Sequence, residues 1–180
     1  LGVFANLVRY ASNRLRFEDL LRRHPEILDV KLERPLIVAG MPRTGTTHLL
    51  NLIGADTRLR SLPNWESLEP VPVRGEGPGR DGHDPRWTRC HAAYRQMVAN
   101  MPLIVAMHDM PPKHIHEEIE LEELDFASYL LEWLCRPARW RDHYLALDPR
   151  PHYAYMKRVL QALTWLRGPS RWVLKSPQHL

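Results

Sequence analysis

Apolar residues recur along this chain with two different periods, and the alternation between them predicts a mixed helix and strand fold. Phe4, Leu7, Val8, Ala11, Leu15 and Leu20 stand at roughly helical spacing, so one or two amphipathic helices are expected over 4–23, interrupted at Pro25. Residues 36–40 form a short continuous apolar run between Pro35 and Gly40-Met41-Pro42, the pattern of a strand buried on both faces. From Thr46 to Ile53 the period turns helical, with Leu49, Leu50, Leu52 and Ile53 as the buried side. Pro63, Pro70, Pro72 and Pro78, with Gly75, Gly77, Gly79 and Gly82, predict irregular loop over 56–83, mobile around 74–83. Asp84-Pro85 is an N-cap and first-turn pair that starts a helix running to about Asn100. A proline-broken stretch over 102–113 follows. A helix over 117–133 is then expected, with acids in its first turn and Leu121, Leu124, Phe126, Leu130, Leu131 and Trp133 in the core. Asp148-Pro149 precedes a helix over about 151–167 closed by Gly168-Pro169, and 171–174 reads as a second buried strand.

Composition narrows the class. The 180 residues are 44% hydrophobic and 26% charged, ordinary for a globular protein. The longest apolar runs are far too short to span a bilayer, and no leader pattern opens the chain. Cys90 and Cys135 do not form a close pair, so a reducing cytosol is expected. The net charge of +4 is carried mainly by arginines spread from Arg9 to Arg171. A nucleic-acid binder gathers such charge into one stripe; scattered arginines suit a small anionic ligand instead. The chain begins at Leu1 and stops just after the second strand, so it reads as the N-terminal part of a larger α/β domain.

The chemistry concentrates in G-M-P-R-T-G-T-T, residues 40–47. A strand that ends in glycine, turns tightly and feeds a helix aims several backbone N–H groups into one concavity, helped by the positive end of the helix dipole. Gly40 and Gly45 have the glycine spacing of the triphosphate-binding P-loop, G-x-x-x-x-G-K-[ST]. Thr46, followed by Thr47, holds the place of that motif's lysine, and the cation moves into the loop as Arg43. No Mg²⁺-binding carboxylate ends an apolar strand. Both differences weaken an ATP- or GTP-hydrolysing reading and favour an anionic donor without a triphosphate. The competing readings are a P-loop nucleotide kinase, a nucleotide-binding module without turnover, and a turn in which the glycines merely shape the backbone.

GMPRTGTTHLL resembles the 5′-phosphosulfate loop of the PAPS-dependent sulfotransferases (PAPS is 3′-phosphoadenosine 5′-phosphosulfate). The branch is the one with Pro-Arg-[Ser/Thr]-Gly-Thr-Thr, shared by tyrosylprotein and many bacterial sulfotransferases. Asn64-Trp65-Glu66 and the final LKSPQHL resemble the same group in the same order. The resemblance implies a P-loop-like three-layer α/β/α fold with a parallel sheet, of which only the N-terminal part is present. It implies one partial domain over 1–180. That domain divides into a helical segment (1–34), the phosphosulfate loop and helix (35–55), a flexible loop (56–83), a helical acceptor region (84–168), and the second strand and loop (169–180). It further implies sulfuryl transfer from PAPS to a hydroxyl of a small-molecule acceptor, with no metal. Arg43, Thr44, Gly45, Thr46 and Thr47 would hold the 5′-phosphosulfate, and residues gripping the 3′-phosphate are expected beyond Leu180.

Glu66 is the candidate base, placed in a loop beside Trp65 where apolar cover would raise its basicity; Glu69 is its competitor. Lys175 follows the second strand and should emerge at the carboxyl edge of the sheet, where it can support charge on the leaving oxygen, with Ser176 assisting. His114 and His116 would share a face on a strand, but Pro111-Pro112 precedes them and no third ligand has suitable spacing, so no metal is assigned. Their segment is expected to line the acceptor pocket or cap the next helix. Trp140, Tyr144, Tyr153 and Tyr155 are read as packing or acceptor-lining residues.

Overall fold

A computed structural model describes residues 2–79 and 82–180; Leu1, and Arg80 and Asp81 in the segment expected to be mobile, lie outside the described residues. The chain runs α1 (Gly2–Arg23), β1 (Leu36–Val38), α2 (Thr46–Gly54), β2 (Leu59–Arg60), α3 (Asn64–Leu68), α4 (Pro85–Asn100), α5 (Ile104–Met107) and α6 (Ile119–Glu122). It continues through α7 (Leu130–Cys135), α8 (Ala138–Leu145), α9 (Arg150–Arg167) and β3 (Arg171–Lys175). Single turns of tighter 3₁₀ helix occupy Pro25–Asp29, Glu123–Asp125 and Pro177–His179.

The three strands form one parallel sheet in the order β1-β3-β2. Leu36, Ile37 and Val38 lie opposite Val173, Leu174 and Lys175, and Leu59 and Arg60 opposite Arg171 and Trp172. Parallel strands need crossover connections, and α2 supplies the first while α3 to α9 supply the second. The central strand β3 is the most buried, with Trp172, Val173 and Leu174 all enclosed. α9 packs in the core with Phe17, Leu20 and Leu21 of α1, Leu121 and Leu124, and Trp172 and Leu174 of β3. Each such side chain contributes roughly 1.5–3 kcal/mol on burial. The Trp172 indole N–H donates to Thr164 Oγ1 of α9 at 3.0 Å, which fixes helix and sheet together.

Five expectations need correcting. The stretch 56–83 is not all loop: β2 and α3 lie within it, and a two-residue strand leaves no periodicity to read. β1 is buried on one face only, since Val38 is buried and Ile37 is 52% exposed. In α1 the inward residues are Tyr10, Asn13, Phe17, Leu20 and Leu21, while Phe4, Leu7, Val8 and Leu15 face outward. On α2 only Leu50 is fully buried, and Leu49 and Leu52 are exposed. The helix expected over 117–133 is broken, because Phe126 takes a left-handed φ of 54° that no helix tolerates, and Trp133 beyond the break is exposed rather than core. By contrast α4 begins as expected, with the Asp84 carboxylate accepting the Arg86 N–H at 2.9 Å.

Candidate active site

Two loops meet at the carboxyl edge of the sheet. The register sets Val38 opposite Lys175, so the loop after β1 and the loop after β3 leave the sheet at one level. This is the edge at which open α/β sheets hold ligands.

The loop after β1 is built as a cradle. At Gly40 an added Cβ would stand 2.7 Å from Thr46 Cγ2, so only glycine lets the first turn of α2 approach the strand end. Gly45 takes φ 88° at the N-cap of α2 and supplies no side-chain cap, leaving the first N–H groups of the helix unpaired within it. Arg43 has φ 66°, a left-handed backbone in a residue with a Cβ; such strain persists where surrounding structure enforces it, often at binding sites. The Thr44 hydroxyl donates to the Met41 carbonyl at 2.6 Å and stiffens the turn. Arg43, Thr44 and Gly45 are exposed, and Thr46 and Thr47 half-buried, so the loop is open to solvent.

Across the edge, Lys175 is buried and its ammonium is paired with Glu117, while its backbone N–H donates to Glu118 Oε2 at 2.7 Å. The Ser176 hydroxyl accepts the Gln178 N–H at 3.1 Å, which fixes the turn after Lys175 and assigns that side chain a capping duty. His179 bridges the Glu118 carboxylate and the Tyr153 hydroxyl.

A third segment, 110–116, is laid against the same edge. Pro63 and Ile115 form an antiparallel bridge, the Asn64 N–H donates to the His114 carbonyl at 2.9 Å, and the His116 N–H donates to the Leu62 carbonyl at 2.7 Å. His114 therefore lies between two other imidazoles, 5.7 Å from His108 and 5.8 Å from His116 by ring centres. Burial first, then the neighbouring His116 and His108 and the Lys175 ammonium, push the His114 imidazole down to about 4, with Asp109 opposing. His108 is also held below the usual imidazole range, by burial, then His116, then Lys175 and Arg43, against Glu117. His108 thus feels charges from both loops. Sequence reasoning noted His114, His116, Glu117 and Glu118 but not His108, and not their place beside Lys175. Among the described residues no three His, Cys, Asp or Glu side chains converge into a set that would hold a metal ion.

Glu66 is elsewhere. It lies within α3 rather than in a loop, is 1% exposed, and accepts from Arg60 Nη2 at 3.3 Å with both oxygens and from Arg167 Nη1 at 2.9 Å. Arg167 ends α9 just before β3, and Arg60 stacks its guanidinium over Trp172 at 4.1 Å. Arg60 lies opposite Trp172, three residues before Lys175 on β3. Apolar cover by Trp65 is replaced by two arginines. Its competitor Glu69 is likewise engaged, by Arg16 at 3.2 Å and Arg89 at 2.8 Å. Of the aromatic candidates, Tyr155 packs in the core, whereas Tyr144 and Tyr153 line a cavity of about 410 Å³ with Glu122, Gln178 and His179.

Comparison with known proteins agrees with this architecture. The profile described as "Sulfotransferase family" matches residues 35–180, and the chain belongs to that family. Among solved structures, sulfotransferase STF9 from Mycobacterium avium is similar at 30% identity and a TM-score of 0.77, over 99% of this chain and 45% of that one. Sulfotransferase STF1 from Mycobacterium tuberculosis H37Rv is similar at 30% identity and a TM-score of 0.70, over 96% of this chain and 47% of that one. The chain therefore spans about half the length of these relatives. A search of curated protein sequences finds no match. Among the described residues no helix is long and apolar enough to cross a membrane.

Proposed function

We propose that this chain carries the phosphosulfate-binding part of an enzyme that moves a sulfuryl group from PAPS to a hydroxyl of a small-molecule acceptor. The observation that carries the reading is the register of Val38 with Lys175, which sets a lysine beside the cradle of a family member. Arg43, the N–H groups after Gly45 and the Thr46 and Thr47 hydroxyls hold the 5′-phosphosulfate. They act as preorganised donors for an anion whose charge shifts during transfer. Lys175 meets the charge that grows on the leaving phosphate oxygen. In the free protein Glu117 neutralises that lysine, so donor binding exchanges one carboxylate partner for the phosphosulfate. Ser176 acts by fixing the turn that aims Lys175. The scheme calls for no metal, and a reducing cytosol suits the two unpaired cysteines.

Thr46 in place of the P-loop lysine argues against a nucleotide kinase. The test is isothermal titration of the full-length protein with 3′,5′-ADP and with ATP, each with and without Mg²⁺. Tight 3′,5′-ADP binding indifferent to Mg²⁺ is expected; tighter, Mg²⁺-dependent ATP binding would replace this reading with the kinase.

A further inference from the structure

We infer that the cavity beside Trp65 is an anion subsite that holds the acidic group of the acceptor, a hydroxyl compound with a carboxylate, phosphate or sulfate on a small ring. The inference rests on the sulfotransferase reading and goes beyond it by giving the acceptor a charge.

The cavity encloses about 410 Å³, within the size range of small-molecule sites. It lies between the segment 59–65, Lys113 and the turn 167–170 that joins α9 to β3. Arg60, Ser61, Trp65, Lys113, Arg167 and Ser170 line it, so the wall holds three cations and no carboxylate among the described residues. The half-buried Trp65 indole supplies a flat apolar surface for a ring.

The ion triad behind this wall leaves positive charge over. Glu66 is satisfied by two arginines, accepting from Arg60 at 3.3 Å and from Arg167 at 2.9 Å, but one carboxylate balances only one of them. Arg60 is 8% exposed, gives Nη1 to the Leu163 carbonyl, and has its Nε enclosed without a partner. Burial, opposed by Glu66 and reinforced by Arg167, holds the Arg60 guanidinium below its usual range. The exposed Lys113 adds a further cation at the rim. The Arg167 side chain is 44% exposed, so an entering oxyanion can reach it. A guanidinium with an ammonium beside it suits a carboxylate or phosphate, which would neutralise the surplus.

The cavity and the donor edge share one strap. Pro63 and Trp65 line the cavity, and the Asn64 N–H between them donates to the His114 carbonyl at 2.9 Å. His114 follows Lys113 in the chain, and the Lys175 ammonium helps to depress its basicity. A substrate anchored at Lys113 therefore sits against the segment that borders the transferring group.

The test titrates full-length protein with 4-hydroxyphenylacetate and with its neutral isostere 4-hydroxyphenylacetamide. The acid should bind about tenfold more tightly than the amide, alongside saturating 3′,5′-ADP, and should shift the Trp65 indole N–H resonance, assigned by its loss in Trp65→Phe. Arg167→Gln should weaken the acid about tenfold and Lys113→Gln about fivefold, with 3′,5′-ADP affinity held within about threefold. Lys113 is exposed, so its variant decides the matter even if Arg167→Gln disturbs Glu66. Equal binding of acid and amide, an unmoved Trp65 resonance, or affinity for the acid indifferent to Lys113→Gln overturns the subsite. Displacement of the acid by 3′,5′-ADP would give the cavity to the donor, and equal displacement by inorganic phosphate would make it a site for a free oxyanion; either overturns the acceptor assignment. Wild-type protein that binds the acid but not 3′,5′-ADP keeps the anion site and loses the sulfotransferase reading.

Discussion

The two ends of β3 hold charged groups of similar kinds in opposite states. At the amino end Glu66, Arg60 and Arg167 satisfy one another, Arg60 stacks on Trp172, and the carboxylate is sealed from solvent. At the carboxyl end Arg43 is exposed on a strained backbone and the first N–H groups of α2 are uncapped. The amino end spends its charges on cohesion, whereas the carboxyl end pairs Lys175 with Glu117 but leaves Arg43 exposed. Residue type therefore does not identify a catalytic carboxylate; what its neighbours leave free does.

The comparison can be broken most sharply at Glu66. Glu66→Ala leaves Arg60, 8% exposed, without its carboxylate, and should cost about 3–5 kcal/mol of stability, read by chemical denaturation. An effect near zero would mean that the triad is not the staple described here. Next comes the opposite end. Arg43→Ala should weaken 3′,5′-ADP binding roughly 100-fold, since charge-assisted bonds contribute about 1.5–3 kcal/mol each, and should leave the denaturation midpoint almost unmoved. Gly40→Ala forces Cβ toward Thr46 Cγ2 and should cost about 1–3 kcal/mol as strain, with donor affinity falling in step.

The smallest effect concerns Glu122, beside the site. Burial, followed by the neighbouring Glu118, pushes its carboxyl up to about 8. A carboxyl raised in the folded state holds more protons there than when unfolded. Stability from this group is thus present below the ordinary carboxylate pKa and is lost as pH rises toward about 8. Glu122→Gln should flatten that decline in a series of denaturation curves from pH 5 to 8; an unchanged slope assigns the decline to other groups.

Much of this was readable in the sequence because it is local. The run before Gly40, the loop from Pro42 to Thr47 and the Asp84-Pro85 helix start each declare themselves within a few residues. β3 and Lys175 followed from another short apolar run. The failures are non-local or depend on a single dihedral angle. Glu66 meets Arg167 across 101 residues of sequence, so its loop-like surroundings carried no sign of the ion pair. His114 and His116 were visible as a pair, but their place beside Lys175 depends on the Pro63–Ile115 bridge, which spans 52 residues (115 minus 63). β2 is too short to show a period, and the turn at Phe126 interrupts an otherwise helical pattern.

The central claim is that the carboxyl edge binds the donor and the amino end does not. Titration of 3′,5′-ADP into full-length wild-type, R43A and E66Q proteins at pH 7 tests it most directly. The account predicts that wild type and E66Q bind alike, within about threefold, while R43A loses affinity by roughly 100-fold. Equal losses in E66Q and R43A, or none in R43A, would contradict it.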